Sequence, residues 1–339
     1  MGAEWAVPVV VAPMAGGAGT PELVAAVNGA GGLGFLAAGY RSAEGVRQQV
    51  QRARELTDRP IGVNLFVPGP PAPSGAVDAY RERLRPEALR WGVELPAEIP
   101  ADRDDWDAKV ELLLRDPVDW VSYTFGLPEP AEAAAVRAAG IRQVGTVTSP
   151  AEARAATALG LDALVVQGPE AGGHRGTHRA EDPPGTLPLL ELLAAVREVT
   201  ALPLIAAGGL GDGAAIAAAL GAGAAAVQLG TAYLRTAESG ASAAHRRALV
   251  ELDATTVTRA FTGRPARGLR NAFTDRHEGH APAAYPEVHH LTQPLRAAAG
   301  RRGDLAAMHL WAGTAHRRAR TGGAADVTRD LWRDALRAG

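Results

Sequence analysis

Short, almost uninterrupted apolar runs recur along the chain, each followed by a glycine-rich turn and an alanine-rich stretch with helical spacing. The runs are Val7–Ala12, Leu33–Ala38, Ile61–Phe66, Trp120–Thr124, Gln143–Val147, Ala163–Gln167, Pro203–Ala207 and Ala224–Leu229. Continuous apolarity is expected of parallel strands covered on both faces. Eight of them alternating with helices predict an α/β fold, a TIM-like (β/α)8 barrel. Helix starts agree: Thr20-Pro21, Ser149-Pro150 with a capping-box Glu152, and Asp212 all carry N-cap chemistry. Gly31, Gly140, Gly160 and Gly221 stand where a left-handed C-cap is expected.

Two stretches break this rhythm. Residues 67–116 are far longer than an ordinary βα connection, opening on the proline cluster Pro68–Pro73 and continuing with arginine-rich helical sequence. After Thr231 come a further helix, the stretch Thr255–Asn271, histidines between His277 and His290, and C-terminal helices. The expected organisation is a barrel from 1–66 and 117–254, an inserted helical cap at 67–116, and a segment 255–339 closing the barrel mouth.

Composition narrows the chemistry. The chain has 339 residues, a formal net charge of -2, and no cysteine, so disulfides, thiolate metal sites and cysteine nucleophiles are excluded. Its one lysine, Lys109, falls in a run that predicts an amphipathic surface helix, which leaves no lysine for Schiff-base chemistry. A near-neutral balance offers no basic field for nucleic acid or an anionic membrane. With no basic leader and no apolar run of about 18 residues, a cytoplasmic location is expected.

In such barrels chemistry gathers at the C-terminal strand ends, with phosphate bound after strands seven and eight. Here those ends are Gly208-Gly209-Leu210-Gly211 and Gln228-Leu229-Gly230-Thr231, where bare backbone can approach an anion. Asn64, Gln167 and the turn Pro13-Met14-Ala15 end other strands. Amides that both donate and accept suit the mixed edge of a flavin ring. Each such amide alone equally suits ordinary backbone satisfaction. His174, flanked by Gly172, Gly173 and Gly176, is the acid–base candidate, with His178 expected to be exposed. His277, His280, His289 and His290 lack metal-site spacing and are expected to be solvated or to line the mouth. Gly29–Gly34 fits a dinucleotide-binding pattern but runs from helix into strand, the wrong order.

The phrases APMAGG (12–17), NGAGGLGFLAAGY (28–40), GVNLF (62–66), VSYTFG (121–126), QGPEAGGHRG (167–176), IAAGGLGDG (205–213), VQLGT (227–231) and FTGRPARGLRN (261–271) resemble those of the nitronate monooxygenases. The resemblance covers almost the whole chain and implies non-covalent FMN. It places Met14 and its neighbours behind the ring, Asn64 and Gln167 on the ring edge, and Gly172, Gly173, Gly208, Gly209 and Gln228 through Thr231 along the ring, ribityl chain and phosphate. His174 falls on the family's catalytic histidine. The implied reaction is oxidation of an alkyl nitronate or nitroalkane, propionate-3-nitronate among the candidates, by O2 through a flavosemiquinone to a carbonyl compound and nitrite. Tyr285 matches the tyrosine of a Tyr-x-x-x-Lys pair, but His289 stands in place of the lysine, leaving Arg264, Arg267 or His289 as stand-ins. A monomer or homodimer without nucleic-acid or membrane partners is expected.

Three other readings remain open from sequence: an NADH-dependent FMN reductase acting on quinones or enoyl thioesters, a pathway tailoring flavoenzyme, and a non-redox phosphate-binding barrel.

Overall fold

The computed structural model describes residues 6–73 and 75–339; Met1–Trp5, counted with the barrel above, lie outside them. The strands are β1 (Val9–Val11), β2 (Leu33–Ala37), β3 (Ile61–Phe66), β4 (Trp120–Thr124), β5 (Arg142–Val147), β6 (Ala163–Gln167), β7 (Gly173–His174), β8 (Leu204–Ala207), β9 (Ala226–Leu229), β10 (Thr255–Thr258) and β11 (Ala266–Leu269). Eight of them close a parallel barrel in the order β1-β2-β3-β4-β5-β6-β8-β9. Closure is made by β1 against β9, with Val9 opposite Val227 and Val11 opposite Leu229. All eight expected strands are present, with ends shifted by two residues at most.

Strand alternation sorts the side chains. Outward-facing Val9, Val63, Val121, Leu164, Val166 and Ala206 pack against the helical ring. Inward-facing Val10, Phe35, Trp120, Val144, Val165 and Ile205 form a plug inside the barrel, as the layered interior of this fold requires. One step further along, the inward series becomes polar. Trp120 gives way to Ser122 and Thr124, Val144 to Thr146, Val165 to Gln167, and Ala226 to Gln228. The apolar plug therefore ends in a polar rim at the C-terminal mouth.

Local chemistry sets the helix ends. Thr20 accepts from the Leu23 N–H at 3.0 Å, and Ser149 from the Glu152 N–H at 3.2 Å. Glu152 does not complete a capping box; its carboxylate accepts instead from the Thr148 N–H at 2.5 Å and the His178 N–H at 2.9 Å. Gly31, Gly140 and Gly160 are left-handed as expected, whereas after the helix Gly213–Gly221 it is Gly223 that takes that conformation.

The two irregular stretches divide between barrel and mouth. The helix Asp78–Trp91 packs on the helix Glu287–Arg302 within a second core that contains Tyr80, Leu84, Phe261, Phe273, Leu291 and Leu310. The Tyr80 hydroxyl donates to the Ala260 carbonyl at 2.7 Å, fastening the first helix to the turn after β10. By contrast, the helix Trp106–Arg115 packs beside the helices Ala43–Leu56 and Pro130–Ala138 in the barrel's outer ring. The last helix, Ala324–Ala338, packs on Gly213–Gly221 and Pro21–Gly29. Both join the ring because their apolar faces, Trp106 with Leu113 in the first and Val327 with Leu331 in the second, complete the barrel's outer core.

That last packing depends on a missing side chain. A Cβ on Gly213 would stand 2.3 Å from the Asp334 carbonyl carbon and 2.5 Å from the Ala335 nitrogen. Gly213→Val should therefore destabilise the protein by about 2 kcal/mol, the usual scale for overpacking. A urea midpoint unchanged from the parent would show that the terminal helix contributes no fixed packing there.

Candidate active site

A cavity of about 350 Å³ opens at the barrel mouth, within the usual size for a cofactor or small-ligand site. Its floor and sides bring together the strand-end residues singled out above. Pro13, Met14, Ala15, Asn64, Gln167, Gly172, Gly173, His174, Gly208, Gly209, Gln228, Leu229, Gly230 and Thr231 all line it. No Lys, Arg, Asp or Glu is among the lining residues.

The glycine-rich side is built by close backbone approach. Gly208 and Gly209 have φ of +119° and +71°, conformations that favour glycine. The loop around Gly313 crosses over them, its N–H donating to the Thr231 hydroxyl at 3.0 Å. A Cβ on Gly172 would stand 2.5 Å from the carbonyl carbon of Ala312 and the nitrogen of Gly313, so only glycine admits this crossing. At Gly173, φ +79°, a Cβ would meet nothing within 4 Å and would project into free space. The helix Gly213–Gly221 carries its own carboxylate cap: Asp212 accepts from the Ala215 N–H at 2.9 Å and pairs with Arg318.

The two amides differ in what they leave free. Asn64 donates through Nδ2 to the hydroxyls of Ser122 and Thr124 at 2.9 and 3.0 Å, which orients its carbonyl oxygen as an acceptor. Gln167 donates to the His174 carbonyl at 2.9 Å and accepts from the Gly176 N–H at 2.8 Å. Both ends of Gln167 thus grip the loop that carries His174.

His174 is held from outside the barrel. Its strand β7 pairs antiparallel with β11, Ala266 opposite His174, and β11 pairs with β10. The Nε2 atom stands 2.9 Å from the Thr262 hydroxyl, which donates to the Arg264 carbonyl at 3.3 Å. Phe125, Tyr285 and Trp311 surround the ring with centroids 5.2–5.8 Å from their neighbours in the cluster. Burial, reinforced by the positive charges of Arg264 and Arg296, pushes the imidazole pKa down to about 3. The ring is therefore neutral across the physiological range.

Tyr285 and His289 do not line the cavity; they stand behind Tyr40, which does. The Tyr285 hydroxyl donates to that of Tyr40 at 3.3 Å, and the His289 ring stacks on Tyr40 at 4.2 Å. Arg296 donates to the His289 Nδ1 at 3.2 Å. Burial and Arg296 push the His289 pKa well down, so His289 supplies no cation in place of lysine. Nor do the arginines reach the cavity. Arg264 lies 4.1 Å over the outer face of Phe125, and Arg267 donates to the Pro169 carbonyl at 2.8 Å.

Of the other polar residues, His178, His277 and Lys109 depart from expectation. His178 is half-buried, its Nε2 3.1 Å from the Thr146 carbonyl. Buried His277 meets Glu87 at 3.4 Å, His290 donates to Asp102 at 2.8 Å, and His280 is exposed. Among the described residues no group of three or more His, Asp or Glu could hold a metal ion. Lys109, expected on a surface face, is 1% exposed because it pairs with Asp104 at 2.8 Å. Sequence reasoning missed the aromatic wall of Tyr40, Phe66 and Phe125, and also Thr262, His309 and Trp311. Tyr40, Phe66, Phe125 and Thr262 carried a signal only as members of quoted phrases.

Among the described residues no helix is long and apolar enough to cross a membrane. The model of the nitronate monooxygenase family matches residues 3–334. A probable nitronate monooxygenase of Staphylococcus aureus (strain Newman) is 36% identical over 93% of this chain and 90% of its own. One from Staphylococcus saprophyticus is 37% identical over 91% and 89%. Nitroalkane oxidase from Streptomyces ansochromogenes superposes with a TM-score of 0.95 at 50% identity, covering 99% of this chain and 97% of that one. FabK from Thermotoga maritima superposes at 0.75 with 26% identity, covering 98% and 94%. With the closed barrel and its glycine-lined mouth, these likenesses are those of an oxidoreductase, and the chain belongs to the nitronate monooxygenase family.

Proposed function

We propose that the chain binds FMN in the barrel mouth and oxidises alkyl nitronates with O2 to a carbonyl compound and nitrite. The observation that carries this reading is a neutral, half-buried His174 on a glycine-lined cavity whose described wall bears no formal charge. The wall suits the cofactor. Bare backbone at Gly208–Gly209 and Gly230–Thr231 would receive its phosphate, the Asn64 carbonyl would accept from the ring edge, and the space at Gly173 would take the ring face. When bound, the flavin supplies the electron-accepting chemistry.

The chain's own residues hold, orient and screen. With Thr262 donating to the Arg264 carbonyl, its oxygen accepts from the Nε2–H of His174, so the lone pair resides on Nδ1. A neutral imidazole of low basicity is poorly suited to pulling a proton from an unactivated nitroalkane. It suits the hydrogen-bonding of a nitronate that arrives already ionised. Arg264 and Arg296, buried behind the wall, add a positive field that favours the anionic head. The helix Asp78–Trp91 and the segment 234–312, which share the second core, form the lid over this site, and the protein acts in the cytoplasm as a monomer or homodimer.

The far wall selects the tail. Tyr40, Phe66 and Phe125 face it with no cation among them, so a carboxylate there would be desolvated without a partner, a cost of several kcal/mol. Propionate-3-nitronate should accordingly be a poorer substrate than 3-methylbutyl nitronate, its isostere with an uncharged tail, by at least about tenfold in kcat/KM. Anaerobic mixing of the FMN-loaded protein with each nitronate, and separately with NADH, tests the whole reading. Bleaching by nitronates is expected. Rapid bleaching by NADH with the nitronates inert would replace it with the reductase reading that the likeness to FabK keeps in view.

A further inference from the structure

We propose that Lys109, through its buried ion pair with Asp104, is a positioning residue that fixes Tyr40 in the cavity wall and so sets affinity for the tail of an alkyl nitronate. The inference rests on the nitronate reading above and concerns a different set of atoms.

Tyr40 is gripped through its backbone. Its N–H donates to Asp104 Oδ1 at 2.7 Å. The other carboxylate oxygen of Asp104 lies 2.8 Å from Lys109 Nζ, which also donates to the Asp104 carbonyl. Flanking residues extend the grip. Asp105 accepts from the Ala43 N–H at 2.7 Å, and Asp102 accepts from His290 at 2.8 Å. One short acidic segment thus ties the turn after β2 to the helix Glu287–Arg302, whose His289 stacks on the Tyr40 ring. Among the side chains pairing with this segment, Lys109 alone is a fully buried cation.

Backbone strain marks the same place. Among the described residues, four that are not glycine have φ in the left-handed region: Tyr40 at +65°, Asp104 and Asp105 at +54°, and Phe125 at +78°. Two of these line the cavity, and the other two hold the turn that carries Tyr40, Asp104 at the Tyr40 N–H and Asp105 at the Ala43 N–H. Such conformations persist only where surrounding contacts over-determine them. A lysine whose sole service was to fasten one ring helix to another would have no reason to converge on them. Removing its charge leaves the half-buried carboxylate of Asp104 unpaired, and such a group draws in water, moves or takes up a proton. Each outcome alters the acceptor that fixes the Tyr40 N–H.

The test compares wild type, Lys109→Met and the double variant Lys109→Met/Asp104→Asn, all FMN-loaded, with 3-methylbutyl nitronate. The asparagine keeps an oxygen for the Tyr40 N–H and removes the orphaned charge. Lys109→Met should raise KM at least fivefold while kcat changes less than twofold and flavin content holds. The double variant should return KM to within twofold of wild type. Unchanged KM in Lys109→Met, or a well-folded double variant with no recovery, would overturn the proposal. Should Lys109→Met fail to fold, the double variant and the wild type decide. Lys109 is the chain's one lysine, so amine acetylation followed by peptide mass mapping reads it without ambiguity. Its acetylation should slow at least threefold under saturating 4-methylpentanoate, whose carboxylate imitates the nitronate head, and an unchanged rate also overturns the coupling. A wild type that oxidises no nitronate would instead refute the function proposed above, before any variant is made.

Discussion

His174→Ala is expected to retain FMN and to lose about 10²- to 10⁴-fold in kcat/KM on nitronates, the range for removing a group that contacts the reacting atoms. Retention follows from location. His174 belongs to the sheet β10-β11-β7 and to an aromatic cluster, while the glycine turns at 208–209 and 230–231 stand on barrel strands. Steady-state kinetics with pre-ionised nitronate, beside the flavin spectrum of the same preparation, checks both halves. A fully active variant would remove His174 from the reaction. The pH profile carries a second signature. With the folded-state pKa near 3, no histidine step should appear in kcat/KM between pH 5 and 8.

Stability responds in the opposite sense. The unfolded His174 titrates near its ordinary value of 6.5, so between pH 6.5 and about 3 the unfolded chain binds the extra proton. The neutral ring's contribution is therefore complete above pH 6.5 and lost as the pH falls toward 3. The depressed values at His245, His289 and His309 add in the same direction. Urea midpoints should fall steadily below pH 6 while activity per folded molecule stays level.

Gly230→Leu should weaken FMN binding about 100-fold with little change in the stability of the cofactor-free protein. Gly230 has φ -110°, which any residue adopts. A Cβ there would meet Ala12 at 3.4 Å and the Met14 sulfur at 3.7 Å, ordinary contacts, with the rest of the side chain directed into the cavity. Displacing a phosphate from fixed backbone donors forfeits several charge-assisted hydrogen bonds. The obvious alternative, Gly209→Leu, is a poorer probe. Its φ of +71° and a Cβ 2.9 Å from Glu170 would strain the turn whatever the ligand. Titration of the Gly230 variant with FMN by fluorescence quenching, at unchanged thermal midpoint, distinguishes blocking from unfolding. Wild-type affinity would place the phosphate elsewhere.

The barrel was legible because parallel strands buried on both faces must be apolar end to end, and the runs from Val9 to Leu229 show that directly. The glycine turns were legible for a similar local reason. The second sheet was not. Its strand β7 is two residues long, one of them glycine, and β11 carries an arginine in its four residues. Their pairing is a long-range fact with no local period. The aromatic wall escaped for the same reason, since Tyr40, Phe66, Phe125 and Trp311 come from four distant segments. Gln167 shows a subtler limit. Its place at a strand end was plain, but not that both ends of its amide hold the His174 loop. Lys109 was misplaced because helical spacing assigns a face without saying what that face meets, and here it meets Asp104.

The imidazole's contacts with β11 and Thr262, outside the barrel, separate two kinds of failure under heat. Fraying of the outer lobe would carry the imidazole away while the sheet beneath it still grips a nucleotide tail. Thermal inactivation should then precede loss of colour, and cooling should restore turnover in molecules whose chromophore never left.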